Sequence, residues 1–598
     1  MRIRQFLFVS AAAISLSACS TLGIDMGSSS SSSPTKQTVP ANSSLNSGGA
    51  LPTNDESGAP PVRVNESLEK SYGAYLSARL AASEHDVADA AKFYLTSLDA
   101  DPDNPDLLAR AFLYTASAGD MNKAPELAAK VVVEEADNRV ARTTLAVDAI
   151  KRKKYSEARD QLSKSAQGPF AILTIDLLNA WAAMGEKDLT TALSDLDALK
   201  TQGGTDSLVA FHRALMFDLA GHVPDASVAY QEALKASGNG PRIVEAYGRF
   251  LERNGRKEEA KQFYDKLASD TALQPIVDAG RKRLADSRTP DALVDSPQDG
   301  AAEAMFSIAA SLTDDSSADV SVLYLRFARY LRPDFDLADI LLADRLEAME
   351  KFEEAIDVYH GIAKSSPYRR VAMVQAAVDE ARLEKNDKAI ADLKEVVTSH
   401  PNDAEAWTAL GDVYRGVEKY ADAADSYDKA IAIRGSTATD SWPLLYARAV
   451  SYEQSGRWTL AEADLKAALR LSPQEPQLLN YLGYSWVDKG ENLTEALGML
   501  EKARALRPFD GYIADSVGWA YYRLGRYKDA AKTLQSAILL VPGDPTINDH
   551  LGDAYWRVGR KLDATFQWNH ALAFGAEGDE KAKIEAKLKN GLTGGGKS

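Results

Sequence analysis

Cysteine is nearly missing from this chain of 598 residues: there is one, at position 19. A single thiol excludes an intramolecular disulfide and any cysteine-built zinc site. Glycine (38) and proline (23) are too sparse for a collagen-like or wholly disordered chain. No apolar run reaches 18 residues, so no segment reads as a membrane-spanning helix. Cations are in deficit, 69 Lys+Arg against 86 Asp+Glu for a formal charge of −17. That sets nucleic acid aside as a partner, because phosphate binding needs a cationic footprint. The seven histidines (His85, His212, His222, His360, His400, His550, His570) show no H-E-x-x-H or similar ligand spacing. There is no G-x-S-x-G elbow and no cysteine–histidine pair for nucleophilic chemistry. No cofactor, metal or catalytic residue is therefore expected. What is present, 45% hydrophobic and 26% charged residues, describes a folded chain with a solvated surface.

The chain opens MRIRQFLFVSAAAISLSACS. Arg2 and Arg4 form a short cationic region, and Phe6 to Leu16 an apolar stretch of secretory length, too short to span a bilayer. Leu16-Ser17-Ala18-Cys19 resembles the lipobox of bacterial lipoprotein signal peptides, with the sole cysteine at the residue the lipobox requires. The resemblance implies a signal peptide over residues 1–18 and a lipidated Cys19 as the first mature residue. Ser20 stands where, by that family's sorting rule, Asp would favour the inner membrane. The resemblance thus implies outer-membrane anchoring with the body facing the periplasm. Several acyl chains hold firmly, whereas one gives only reversible binding. Residues 19–66 read as a flexible tether after the lipidated Cys: Ser28 to Ser33, then Pro34, Pro40, Pro52, Pro60 and Pro61 among Gly, Asn and Thr. As a coil of roughly 45 residues it would have an end-to-end distance of about 35–40 Å.

The remainder is periodic. Ala90, Ala124, Ala158, Ala192, Ala226 and Ala260 stand 34 residues apart, and Ser321, Ala355, Ala389 and Ala423 continue with that step. Ala461, Ala496, Ala530 and Ala564 follow at steps of 38, 35, 34 and 34. A small partner precedes most of them by twelve or so residues: Ala78, Ala146, Ala180, Ala214, Gly248, Ala309, Ala343, Ala377, Gly411, Ala449, Gly483, Gly518 and Gly552. Phe112 departs from that pattern, which puts the packing of the second repeat in question. Four residues after the small residue comes a large apolar plug such as Tyr94, Leu162, Tyr264, Tyr427 or Trp568. Pro102, Pro333, Pro367, Pro401, Pro473, Pro508 and Pro542 each fall twelve residues after it, where a helix must stop.

The window Trp407-x2-Leu410-Gly411-x2-Tyr414, with Ala423, Tyr427 and Ala430, resembles the tetratricopeptide repeat. The resemblance implies an all-α fold: an α-solenoid of about fourteen helix-turn-helix repeats in a right-handed superhelix. A longer step between Ala260 and Ser321 suggests two blocks, residues 71–286 and 302–578, joined by 287–301. The joint's approach holds a helical stretch from Asp278 to Asp286. An amphipathic helix over 579–592 would cap the open end, leaving 593–598 as a disordered tail. That tail, with Gly591-Leu592-Thr593-Gly594-Gly595-Gly596-Lys597-Ser598, formally matches a Walker A pattern but has no helix after it to receive a phosphate, so no nucleotide is expected.

In proteins of this kind, repeat positions 2, 5, 9 and 12 tend to face the concave groove. Those offsets pick out Asn480, Tyr484, Tyr512, Asp515, Trp519, Tyr522, Asp549, Asp553 and Trp556, with Arg523 and Arg557 one residue further on. Aromatic and arginine side chains there suit an interface. Carboxylates at these positions oppose the carboxylate clamp that holds chaperone C-termini. Trp407 occupies a framework position and is expected in the core, and His550 is expected to be solvated or lightly packed. Acidic residues elsewhere read as solvated helix faces. The resemblance implies a non-enzymatic scaffold that binds envelope proteins or extended peptides. The alternatives are a pilotin-like carrier for a secretin or other outer-membrane subunit and, remotely, a peptidoglycan-active enzyme.

Overall fold

The computed structural model describes residues 66–201, 204–270, 273–312, 314, 317–435 and 441–592. The signal sequence, Cys19, all but the last residue of the expected tether and the tail beyond 592 lie outside these residues. Among the described residues there are thirty α-helices, α1 to α30 in chain order, and no strand. None of the thirty is long and apolar enough to cross a membrane. Fourteen helical hairpins account for most of them. The two helices outside that count are α13 (Gln274–Ala285) and α30 (Gly578–Asn590).

Each hairpin is built by the periodic small residues. All fourteen of them, Ala90 through Ala564 with Ser321, are fully buried. Ser321 also donates its hydroxyl to the Ala309 carbonyl on the facing helix at 3.1 Å. The facing glycines show how tight the approach is. A Cβ at Gly411 would lie 2.6 Å from the Tyr427 ring, and one at Gly518 2.6 Å from Leu534. The second repeat solves the same problem in reverse. Phe112 on α3 (Pro105–Ala118) is buried, and the plug position on α4 (Ala124–Glu134) is taken by Ala128, also buried. Large and small have changed places, so the interhelical volume is filled from the other side.

The turn inside each hairpin is equally regular. Its central residue has a positive φ at His85, Gly119, Lys153, Lys187, Gly221, Gly255, Glu350, Glu384, Glu418, Gly456, Gly525 and Gly559. The next amide bonds the carbonyl five residues back, as in Lys419 to Tyr414, Arg526 to Tyr521 and Arg560 to Tyr555. This is the 6→1 bond of a Schellman ending, which satisfies an otherwise orphaned helix carbonyl. Glycine occupies that position without strain, and Glu or Lys at a modest conformational cost.

Many carboxylates are not solvated, contrary to the sequence reading. Plug side chains with polar tips find acids on the first helix: Tyr264 donates to Glu252 (2.8 Å), Tyr230 to Asp218 (3.1 Å) and Tyr427 to Asp412 (2.7 Å). Glu252, Glu303, Asp379 and Glu380 are buried. Buried polar groups must be paired to be tolerated, and here plug hydroxyls, arginines and, for Glu380, Lys388 supply the pairs.

The described helices form two compact units, one ending at Tyr368 and the other beginning at Arg369. The division does not fall at 287–301, where the sequence suggested a joint. In the first unit, that segment leads into α14 (Pro297–Ser311) and α15 (Ala318–Leu331), which turn back onto earlier repeats. They pack on the first helices of those repeats: α3, α5 (Arg139–Lys151), α7 (Pro169–Gly185) and α9 (Asp206–Leu219). The inner face of this block is therefore filled by its own chain. Trp181 on α7 is fully buried, donates its indole N–H to His212 Nδ1 at 3.1 Å, and lies against Gly300 of α14. Burial holds the His212 imidazole neutral, lowering its pKa to about 3. Glu303 of α14, wholly buried, takes a bidentate pair from Arg242 at 2.9 and 2.7 Å. Thr174 and Tyr324 share a hydrogen bond of 2.9 Å, and Tyr330 donates to Asp148 at 3.0 Å.

A methyl group added at Gly300 would overlap the Trp181 ring. Gly300→Ala should therefore destabilise the first unit by about 1–3 kcal/mol through overpacking. Urea unfolding followed by Trp fluorescence should show an earlier transition in the variant.

Candidate functional site

The second unit leaves its inner face to side chains. Its first helices near the C-terminus are α24 (Pro476–Lys489), α26 (Gly511–Arg523) and α28 (Pro545–Arg557), with α30 following as an unpaired first helix. Successive first helices pack on one another, α24 on α26 and α26 on α28, so their inward residues form one surface. Asp510 caps α26 by accepting from the Tyr512 and Ile513 amides, and Asp544 caps α28 by accepting from Ile547.

Three of the residues singled out by position come together on α26. Trp519 stacks on Tyr522 with ring centroids 4.7 Å apart and planes 6° from parallel. It stacks equally on His550, at 4.0 Å and 9°. His550 Nδ1 lies 3.0 Å from Asp515. Arg557 donates from Nε to the Tyr522 hydroxyl at 3.3 Å and lies over Tyr527. His550, 7% exposed, is thus neither solvated nor lightly packed. Burial alone would push its pKa down, but Asp515, then Asp549 and Asp553, more than offset that and raise it.

A second cluster closes the end of the surface. Lys587 of α30 reaches Asp549 at 2.7 Å and Asp553 at 2.8 Å. Asp553 also accepts the Trp568 indole N–H at 3.0 Å. Burial and the adjacent Asp549 raise the Asp553 pKa, with Lys587 opposing. The Lys587 pKa is raised because these two carboxylates outweigh its burial. Trp556 tilts against Trp568 at 5.3 Å, and a Cβ on Gly591 would strike its ring. Asp549, Asp553 and Trp556 are therefore largely engaged by their own chain.

The other positions stay more open. Tyr512 is 47% exposed. Asn480 is half-buried, and its Oδ1 is itself buried without a hydrogen-bond partner among the described residues. Tyr484 is half-buried, and burial with Asp515, Asp488 and Glu580 pushes its hydroxyl well above the usual tyrosine range. Arg523 donates to the Asp488 carbonyl at 3.0 Å. Trp407, expected in the core, is only half-buried and donates to the Pro401 carbonyl at 3.0 Å.

Position rules missed His550, Lys587 and Trp568. A signal for the first two exists in the spacing: His550 stands 35 residues after Asp515, and Lys587 stands 34 after Asp553. Groups one repeat apart face each other on neighbouring first helices, so opposite charges at that spacing can pair. Chemically, the surface offers aromatic faces and paired ions, which suit recognition of a chain segment.

Four stretches, residues 220–275, 374–438, 446–511 and 518–580, match the family model described as tetratricopeptide repeat. A TPR repeat-containing protein of Pseudomonas aeruginosa is 28% identical over 169 residues, covering 28% of this chain and 25% of that protein. The human superkiller complex protein 3 is 33% identical over 102 residues, covering 17% of this chain and 6% of its own length. The matched stretches thus span a quarter or less of these relatives. Among solved structures, a tetratricopeptide repeat protein from Parabacteroides merdae is 14% identical with a TM-score of 0.35, over 42% of this chain and 97% of that one. The Cut9–Hcn1 hetero-tetramer of the APC/C is 16% identical with a TM-score of 0.35, over 87% of this chain and 96% of that one.

The imidazolium of His550 is favoured in the folded protein. Its stabilisation is fully present below the ordinary histidine pKa of 6.5 and is lost as pH rises through the raised folded value. The unfolding free energy of the second unit should thus decline as pH is raised from 6 upward, and His550→Gln should flatten that slope. Denaturant titrations across pH 5.5 to about 8.5 check both.

Proposed function

From the tetratricopeptide repeats that this chain carries, we propose a non-enzymatic scaffold of the bacterial periplasm, anchored to the outer membrane through a lipidated Cys19. It would bind envelope proteins or extended peptides on the inner face of the second unit. Repeats of this type serve protein–protein interaction, and an interaction role is the part the fold itself supports. The observation that carries the choice of surface is the exposed ring of Tyr512 on α26, with Asn480 half-buried on the neighbouring first helix α24. An aromatic ring offers contact area at small entropic cost. The first unit's inner face is taken by α14 and α15, so the second unit is where an incoming segment can lie.

The anchor rests on the sequence Leu16-Ser17-Ala18-Cys19 followed by Ser20. Cys19→Ala should move the protein out of the outer-membrane fraction, read by immunoblot of separated membranes. Undisturbed fractionation would refute the anchor.

A photo-crosslinking amino acid placed at Tyr512 or Asn480 should capture a discrete partner in cells, whereas one at the exposed Lys528 of the outer helix should not. Identical capture from all three positions, or none from the first two, would remove the groove assignment.

A further inference from the structure

An open pocket of about 220 Å³ lies in the first unit, where α15 packs against α3. Gly119 and Met121, from the turn between α3 and α4, form one wall, and Arg326, Arg329, Tyr330 and Pro333 the other. None of these is an inward position of a first helix, so the site is separate from the groove of the second unit.

The two arginines are differently satisfied. Arg329 pairs with the buried Asp339. Arg326 is 12% exposed at its side chain, and its Nη2 lies 3.4 Å from Glu354. Its Nε is buried and has no hydrogen-bond partner among the described residues. A guanidinium carries five N–H donors, and a buried one with so little pairing is costly. Burial raises the Glu354 pKa, with Arg326 opposing. At Arg326 itself, burial and then the neighbouring Arg329 lower the pKa, and Glu354 and Asp339 offset this only in part.

Gly119 makes this placement possible. It ends α3 in the left-handed conformation, φ +83°, and a Cβ there would lie 2.8 Å from Arg326 Cδ. The turn is thus shaped to let the arginine stem pass alongside it and bring its head to the cavity.

We propose that this cavity binds a small oxyanion, a phosphate or a carboxylate group, gripped by the Arg326 guanidinium with Arg329 beside it. The planar fork of arginine matches two oxygens of either group, and the cavity is below the range of drug-sized pockets, which fits a small anion.

Inorganic phosphate and acetate, titrated separately into the full chain at constant ionic strength with chloride as the balancing anion, test this by calorimetry. At least one should bind, and Arg326→Gln should weaken that binding tenfold or more with the far-UV circular dichroism unchanged. Phosphate alone, acetate alone or both would name the class. Glu354→Gln removes the competing carboxylate and should tighten the same anion, which keeps the test decisive if the arginine variant folds poorly. Absence of binding by both anions, equal affinity in Arg326→Gln, or weaker binding in Glu354→Gln would overturn the proposal.

Discussion

Everything in this molecule depends on two helices approaching closely at one small residue every 34 positions. The crossing is tight enough that glycine faces alanine or a plug ring with no room for another methyl, as Gly411 against Tyr427 shows. Because the hairpin leaves apolar surface uncovered on both sides, neighbours must stack, and the solenoid follows from the hairpin. The second repeat supports this reading by its exception. With Phe112 on the first helix, the plug shrinks to Ala128, and the same gap is filled. The constraint is on volume between the helices, and the sequence can meet it from either side.

A stack of such hairpins has an inner face built from first helices, and the two units treat that face in different ways. In the first unit, α14 and α15 lie on it, with Trp181, Glu303 and Tyr324 buried at the contact. In the second, it is lined by stacked rings and ion pairs that link one first helix to the next: Asp515 to His550, and Asp549 and Asp553 to Lys587. These links join one first helix to the next, while the Tyr512 ring stays exposed.

The contacts legible in the sequence were those that recur or are short in sequence. The alanine step located fourteen hairpins, and the broken step located the extra helix, now α13. What escaped was non-local. Thr174 and Tyr324 are 150 residues apart, and no periodicity announces that a later repeat folds back onto earlier ones. The same holds in the candidate site. Position rules could name Trp519 and Asp553 as inward-facing, yet could not tell that one is sandwiched between rings and the other spent on Trp568 and Lys587. Burial of polar groups was also hidden. An acid on a helix reads as solvated until its partner is known, and Glu252 takes its partners from Tyr264 on the next helix and from Arg283 on α13.

Self-occupation of one inner face has a consequence for what recognition requires. A solenoid built only to expose a groove gains nothing from filling half of it with its own helices. Filling it does bury two further helices, and it ties repeats distant in sequence through pairs such as Arg242–Glu303. A linear stack is stabilised only by nearest neighbours and opens from its ends. A stack crossed by its own later helices gains contacts that an end-first opening must break together. In the second unit the inward side chains are joined chiefly to adjacent repeats, Asp515 to His550 and Asp553 to Lys587, so such links can break one repeat at a time.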